Sequence, residues 1–244
     1  MKITIVKGVH LGIKNAKLLL PYILETDVYS PENAKGTEEE SSAHETFWLN
    51  ILNSGISRSG FNELSRGLYK DVKEEQKKFL LTVGDYLFRS KIPLWYLERF
   101  TKKRIGDIDA LLAESNRRFD VGKEFFRSGK EDQALELYWR SYEPFMAACR
   151  IRDVEVARNL DGAEVAIRGK YPLLKEVEPL RLLVQVGMLH SPEKYTSIPV
   201  EAISLLPKTN TAEDRLCEGI IQGRSFDELR PDLIEMCRLE FAEQ

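Results

Sequence analysis

Two short apolar runs far apart in the chain, KITIVK at Lys2–Lys7 and LLVQV at 182–186, each stop at a glycine, Gly8 and Gly187. Runs this short, rich in β-branched and aliphatic residues and closed by glycine, are strand signals. Between them the apolar residues recur mostly at helical spacing. A strand that runs straight into a helix meets its parallel neighbour only through a crossover. The pattern therefore predicts an α/β fold, with a mostly parallel or mixed central sheet covered by helices.

The remaining elements follow from turn residues and periodicity. Residues 15–24 carry the apolar spacing of a helix, so the chain opens on a β-turn-α unit. Residues 27–30 read as a second strand stopped by Pro31, and PENAKGTEEESS reads as an exposed loop. Helical patterns follow over 44–56 and over 61–90, the second interrupted by Gly67 and Gly84. KIPLWYL at 91–97 reads as the third strand and 182–186 as the last. Residues 107–170 form a large helical insertion between the third and last strands, broken near Gly129 and Pro144, within one α/β domain spanning 1–244. Inside it, Gly122, Phe125, Ala134, Tyr138 and Ser141 have the spacing of one tetratricopeptide-like helical hairpin, with no second copy at a fixed period.

Composition narrows the function classes. The 244 residues hold 36 basic and 39 acidic side chains, a net charge of -3, so there is no basic excess to neutralise phosphates and nucleic acid is excluded as a partner. Three scattered cysteines without a CxxC pair fit a reduced, cytoplasmic setting. No apolar run approaches the ~20 residues that span a bilayer, and the first ten residues read as a strand rather than a signal peptide. The long amphipathic helices offer a face for a homo-oligomer. Neither a GxSxG elbow nor a phosphate-cradling loop occurs.

The three histidines carry the chemistry. His10 follows Gly8 by two residues and His190 follows Gly187 by three. Side chains just beyond the carboxyl ends of strands face the crevice where open α/β sheets bind ligands, and imidazole there is a metal ligand or proton carrier. A buried, hydrogen-bonded loop histidine is the plainer reading of each. Acidic and basic residues stand at the other strand ends: Asp27 and Glu32 follow the second, Glu98 and Arg99 the third. His44 reads as an exposed residue near a helix start, or as a third imidazole if its loop folds inward.

These pieces, IVKGVHLG, TDVYSPEN, IPLWYLER, RDVEVARNL and LLVQVGMLH, resemble the motifs of the TraB/PrgY/TIKI group and its EreA/ChaN-like relatives over roughly the first 190 residues. The resemblance implies a metal-dependent hydrolase, peptidase-like in some members, acting on a small-molecule or peptide substrate. His10, Glu32 and His190 then hold a divalent metal ion that activates water; Glu98 serves as base or as a hydrogen-bond acceptor behind a ligand, and Arg99 or Arg152 stabilises an oxyanion or anchors the substrate. Two alternatives stand beside this. Arg152 and Asp153 read equally as a helix-surface ion pair. The first motif, GVH, is one residue shorter than GxxH, which fits a non-catalytic binding or regulatory protein on the same scaffold.

Overall fold

A computed structural model describes residues 1–8, 12–32, 36–205 and 211–242. The chain groups into two compact units: Met1–Thr101 with Asp153–Leu205, and Lys102–Arg152 with Leu206–Gln244. The expected insertion, 107–170, is divided between them.

The first unit is the expected α/β layer structure. Its sheet contains β1 (Lys2–Lys7), β2 (Val28–Ser30), β3 (Arg181–Val186) and β4 (Glu201–Ser204), in the order β2-β3-β1-β4. Every pairing is parallel, with Lys7 opposite Val186 and Ser204, and Ser30 opposite Val184. The carboxyl ends of all four strands therefore share one edge.

Alternation along the strands builds two cores. Ile3, Ile5, Val28, Leu182, Val184 and Val186 face one side, covered by Val156 and Leu160 of α6 (Glu131–Leu160) and by Ile167 of α7 (Ala163–Lys170). Val6, Tyr29 and Leu183 face the other, covered by α1 (Gly12–Leu24), α2 (Glu38–Asn53), α3 (Arg58–Leu68) and α4 (Glu74–Ser90). β3 is buried along five of its six residues, as a strand covered on both faces must be. Each fully buried aliphatic side chain here contributes about 1.5–3 kcal/mol.

Four expectations are corrected. The run 91–97 is not a strand. Tyr29 N donates to Pro93 O and Trp95 N to Tyr29 O, but the pairing stops at that bridge. β2 is only three residues long, and Pro93 has no N–H. Side chains take over instead: Ile92 O accepts from Trp48 Nε1, Leu94 O from the Tyr171 hydroxyl, and Tyr96 N donates to Glu45 Oε1.

The acidic end of the supposed loop 31–42 is helix. Thr37 and Glu40 form a reciprocal capping box that starts α2 at Glu38, and three glutamates stand in its first turn.

Pro144 does not break α6. The carbonyl it leaves without its usual helical donor, Arg140 O, accepts from Arg118 Nη1 at 2.7 Å.

The strand at the end of the insertion is not the last, because β4 follows it. β4 is an edge strand whose residues are exposed or half-buried, so it shows no apolar run.

The second unit is helical. α5 (Lys102–Arg127), the first part of α6, α8 (Ala212–Gln222) and α9 (Phe226–Ala242) bury Leu135, Tyr138, Leu216, Leu229, Leu233 and Phe241. The tetratricopeptide-like spacing is a helical hairpin: a Cβ on Gly122 would stand 3.2 Å from Ala134 O, so α5 and α6 touch at their backbones there. No described helix is long and apolar enough to cross a membrane.

Candidate active site

The carboxyl edge of the sheet brings together residues from β2, β3 and α6. β3 ends at Val186, and the chain then turns tightly, with His190 N donating to Gly187 O at 3.1 Å. The turn aims the His190 ring back over the strand ends. Its Nδ1 lies 2.7 Å from Asp153 Oδ1, and the other oxygen of that carboxylate accepts from Ser191 N at 2.8 Å. Both partners are buried, Asp153 to 3 % and His190 to 5 % exposure. A carboxylate only accepts, so Asp153 fixes the proton on Nδ1 and leaves Nε2 as the working nitrogen.

Nε2 is directed at Glu32, whose Oε1 lies 3.7 Å away. That is beyond hydrogen-bond length but close enough for both atoms to address one small species between them. Glu32 reaches this position because β2 stops at Ser30 and Pro31 turns the chain outward. Gly187 permits the approach: a Cβ there would stand 3.3 Å from both Glu32 Oε2 and His190 Cδ2. Among the described residues Gly8 makes no such demand, because its Cβ would meet Leu205 Cβ at an ordinary 3.6 Å.

Around this core lie supporting polar groups. Lys7 Nζ donates to Ser191 Oγ at 3.1 Å and to Glu193 Oε1 at 2.5 Å. The Tyr29 hydroxyl donates to Gln185 Oε1 beneath it. Burial, and then the charges of Tyr96 and Glu32, push the Tyr29 hydroxyl well above its usual titration range, so it remains a neutral donor.

The expected site residues are distributed as follows. His190 and Glu32 come together. His10 lies outside the described residues. Glu98 is buried to 2 % just after the core residue Leu97. Arg99 is engaged away from the His190 pair: its guanidinium bonds Glu45 at 2.6 Å, Tyr96 O at 2.8 Å and Ser42 Oγ at 3.3 Å, and lies 4.4 Å from the Trp95 ring centroid. Glu45 is fully buried and also binds Lys170 at 2.6 Å. Arg152 is half-buried and belongs to the second unit. His44 is exposed on α2, its ring 6.0 Å from that of Tyr96.

Asp153 is the residue to which sequence reasoning gives no part in the site, with a helix-surface ion pair as one of two readings. The signal was available. Val156, Ala157 and Leu160, three, four and seven residues on, are all buried, so the helical period puts Asp153 on the inward face of α6. Lys7, Ser191 and Glu193 left no comparable signal, because their meeting depends on strand register.

Among the described residues no group of three or more His, Cys, Asp and Glu is placed to hold a metal. His190 and Glu32 provide two donors of suitable type, and a carboxylate on the far nitrogen of a histidine is the usual support for a metal-binding imidazole. The donor chemistry fits a divalent ion to that extent. A cavity of about 300 Å³, lined by Lys2, Thr26, Arg181 and Glu201 among others, sits at the opposite, amino edge of the sheet, away from these groups. No family model, curated protein or solved structure matches the chain.

Proposed function

We propose that the chain is a metal-dependent hydrolase of the TraB/TIKI type, acting on a peptide or small-molecule substrate at the carboxyl edge of the sheet. The observation that carries this reading is the Asp153–His190–Glu32 alignment, a buried histidine tied at Nδ1 and directed at a carboxylate from Nε2. His190 and Glu32 are assigned as ligands of a divalent ion, with His10 as the third. When bound, the ion supplies the Lewis acidity that makes water a usable nucleophile near neutral pH.

The chain's own groups have distinct tasks. Asp153 holds the His190 ring in one tautomer and one orientation. Glu98 is assigned as the proton acceptor. The donors of Arg99 are occupied by Glu45, Ser42 and Tyr96, so substrate anchoring is not assigned to it.

A second reading, a non-catalytic binding or regulatory protein on this scaffold, draws support from the 5 % exposure of His190. A hydrolase screen with ester, amide and peptide substrates separates the two. His190→Ala should lose most activity and metal together, whereas Glu98→Gln should keep the metal and lower turnover. Full activity in both variants would overturn the hydrolase assignment. No activity and no bound metal in the wild type would favour the binding protein.

A further inference from the structure

We propose that Lys7 is a positioning residue for the Asp153–His190 pair, acting through Ser191 and Glu193. The inference takes from the proposed function only that His190 is the working side chain. Lys7 ends β1 and stands opposite Val186, the last residue of β3, so its ammonium reaches the segment that follows that strand. There it donates to Ser191 Oγ at 3.1 Å and to Glu193 Oε1 at 2.5 Å. Ser191 faces two ways: while its hydroxyl takes the ammonium, its N–H donates to Asp153 Oδ2 at 2.8 Å. Asp153 in turn grips His190 Nδ1 at 2.7 Å. An unbroken chain of contacts thus runs from the end of β1 to the imidazole.

Glu193 makes this chain a clamp. Its Oε2 is buried and has no hydrogen-bond partner among the described residues. Lys7 is the cation that the structure pairs with it. A carboxylate only 21 % exposed and left without its counter-charge is unfavourable, and the readiest relief is to swing out to water. Glu193 is two residues from Ser191, so that movement would withdraw the Ser191 N–H from Asp153 and release the ring. Loss of Lys7 alone should therefore do more harm than loss of both Lys7 and the Glu193 charge.

The test reads the ring directly, in metal-free protein. The Nδ1–H proton of His190 is followed by NMR, assigned by its loss in His190→Gln, and its exchange with water is timed in each variant. Exchange should be about tenfold faster in Lys7→Met, while Lys7→Arg and the double variant Lys7→Met/Glu193→Gln stay within about threefold of wild type. Ser191→Ala, which cuts the hydroxyl link and keeps both charges, should also exchange faster. A wild-type rate in Lys7→Met, or a double variant as fast as Lys7→Met, overturns the proposal. If Lys7→Met fails to fold, folding of the double variant supports the clamp. If both fail, Ser191→Ala decides, and an unchanged rate there overturns it. Absence of metal binding or hydrolysis would sink the proposed function and leave this result standing.

Discussion

Gly187 and Glu32 approach so closely that a Cβ on the glycine would stand 3.3 Å from the carboxylate oxygen Oε2. The same Cβ would meet His190 Cδ2 at 3.3 Å, so this glycine controls the spacing between the two groups at the centre of the site. At Gly8 the nearest atom among the described residues would be 3.6 Å away, an ordinary contact.

The two glycines that look alike in the sequence should therefore behave differently. Gly187→Ala should displace Glu32 or His190 by a few tenths of an ångström, cost about 1 kcal/mol in stability and weaken metal binding. Gly8→Ala should stay within about 0.5 kcal/mol of wild type. Urea midpoints and metal titrations of both variants check the contrast, and equal effects would contradict it.

The buried charge cluster around Glu45 should matter for stability rather than chemistry. Glu45→Gln leaves Arg99 and Lys170, both largely covered, without their shared counter-charge, and should lose about 3 kcal/mol in urea unfolding. Lys170→Met leaves the Arg99–Glu45 contact in place and should lose clearly less. A Lys170→Met loss as large as that of Glu45→Gln would contradict the assignment.

Asp27 ties the start of β2 to the start of β3. Burial alone would raise its titration point, but Arg181 overcomes this through its side chain, its N–H and its charge, and the folded carboxyl titrates below its ordinary value. Its stabilisation is therefore fully present above the unfolded value of about 4 and is lost as pH falls through the lower folded value. Asp27→Asn should be less stable than wild type at pH 6, and the difference in urea midpoint should shrink towards pH 3. A difference that grows on acidification would contradict this.

Legibility in the sequence followed what each element depends on. β3 was readable because burial on both faces demands a nearly continuous apolar run, and β1 because its buried Ile3, Ile5 and Val6 are β-branched; Gly8 and Gly187 marked their ends. β4 was not, because an edge strand with one face towards water needs no such run. Residues 91–97 have strand composition, yet their backbone is satisfied by Trp48, Tyr171 and Glu45, partners that only the tertiary fold supplies. The capping box at Thr37 and the inward face of Asp153 were both present in the local spacing and were missed there. The resemblance is what names His190 and Glu32 together; their places after β3 and β2 put both at one edge of the sheet. The distance between them, and the clamp from Lys7, came only with the parallel register.

The central claim is that His190, oriented by Asp153, and Glu32 hold one divalent ion, and calorimetric titration of Zn²⁺ and Mn²⁺ into metal-free, tag-free protein tests it most directly. The account predicts one ion per chain in the wild type and in the control His44→Ala. Affinity should fall about 10- to 100-fold in Asp153→Asn and further in His190→Ala and Glu32→Gln. A wild-type protein that binds neither ion, or a His190→Ala variant that binds as tightly as wild type, would contradict it.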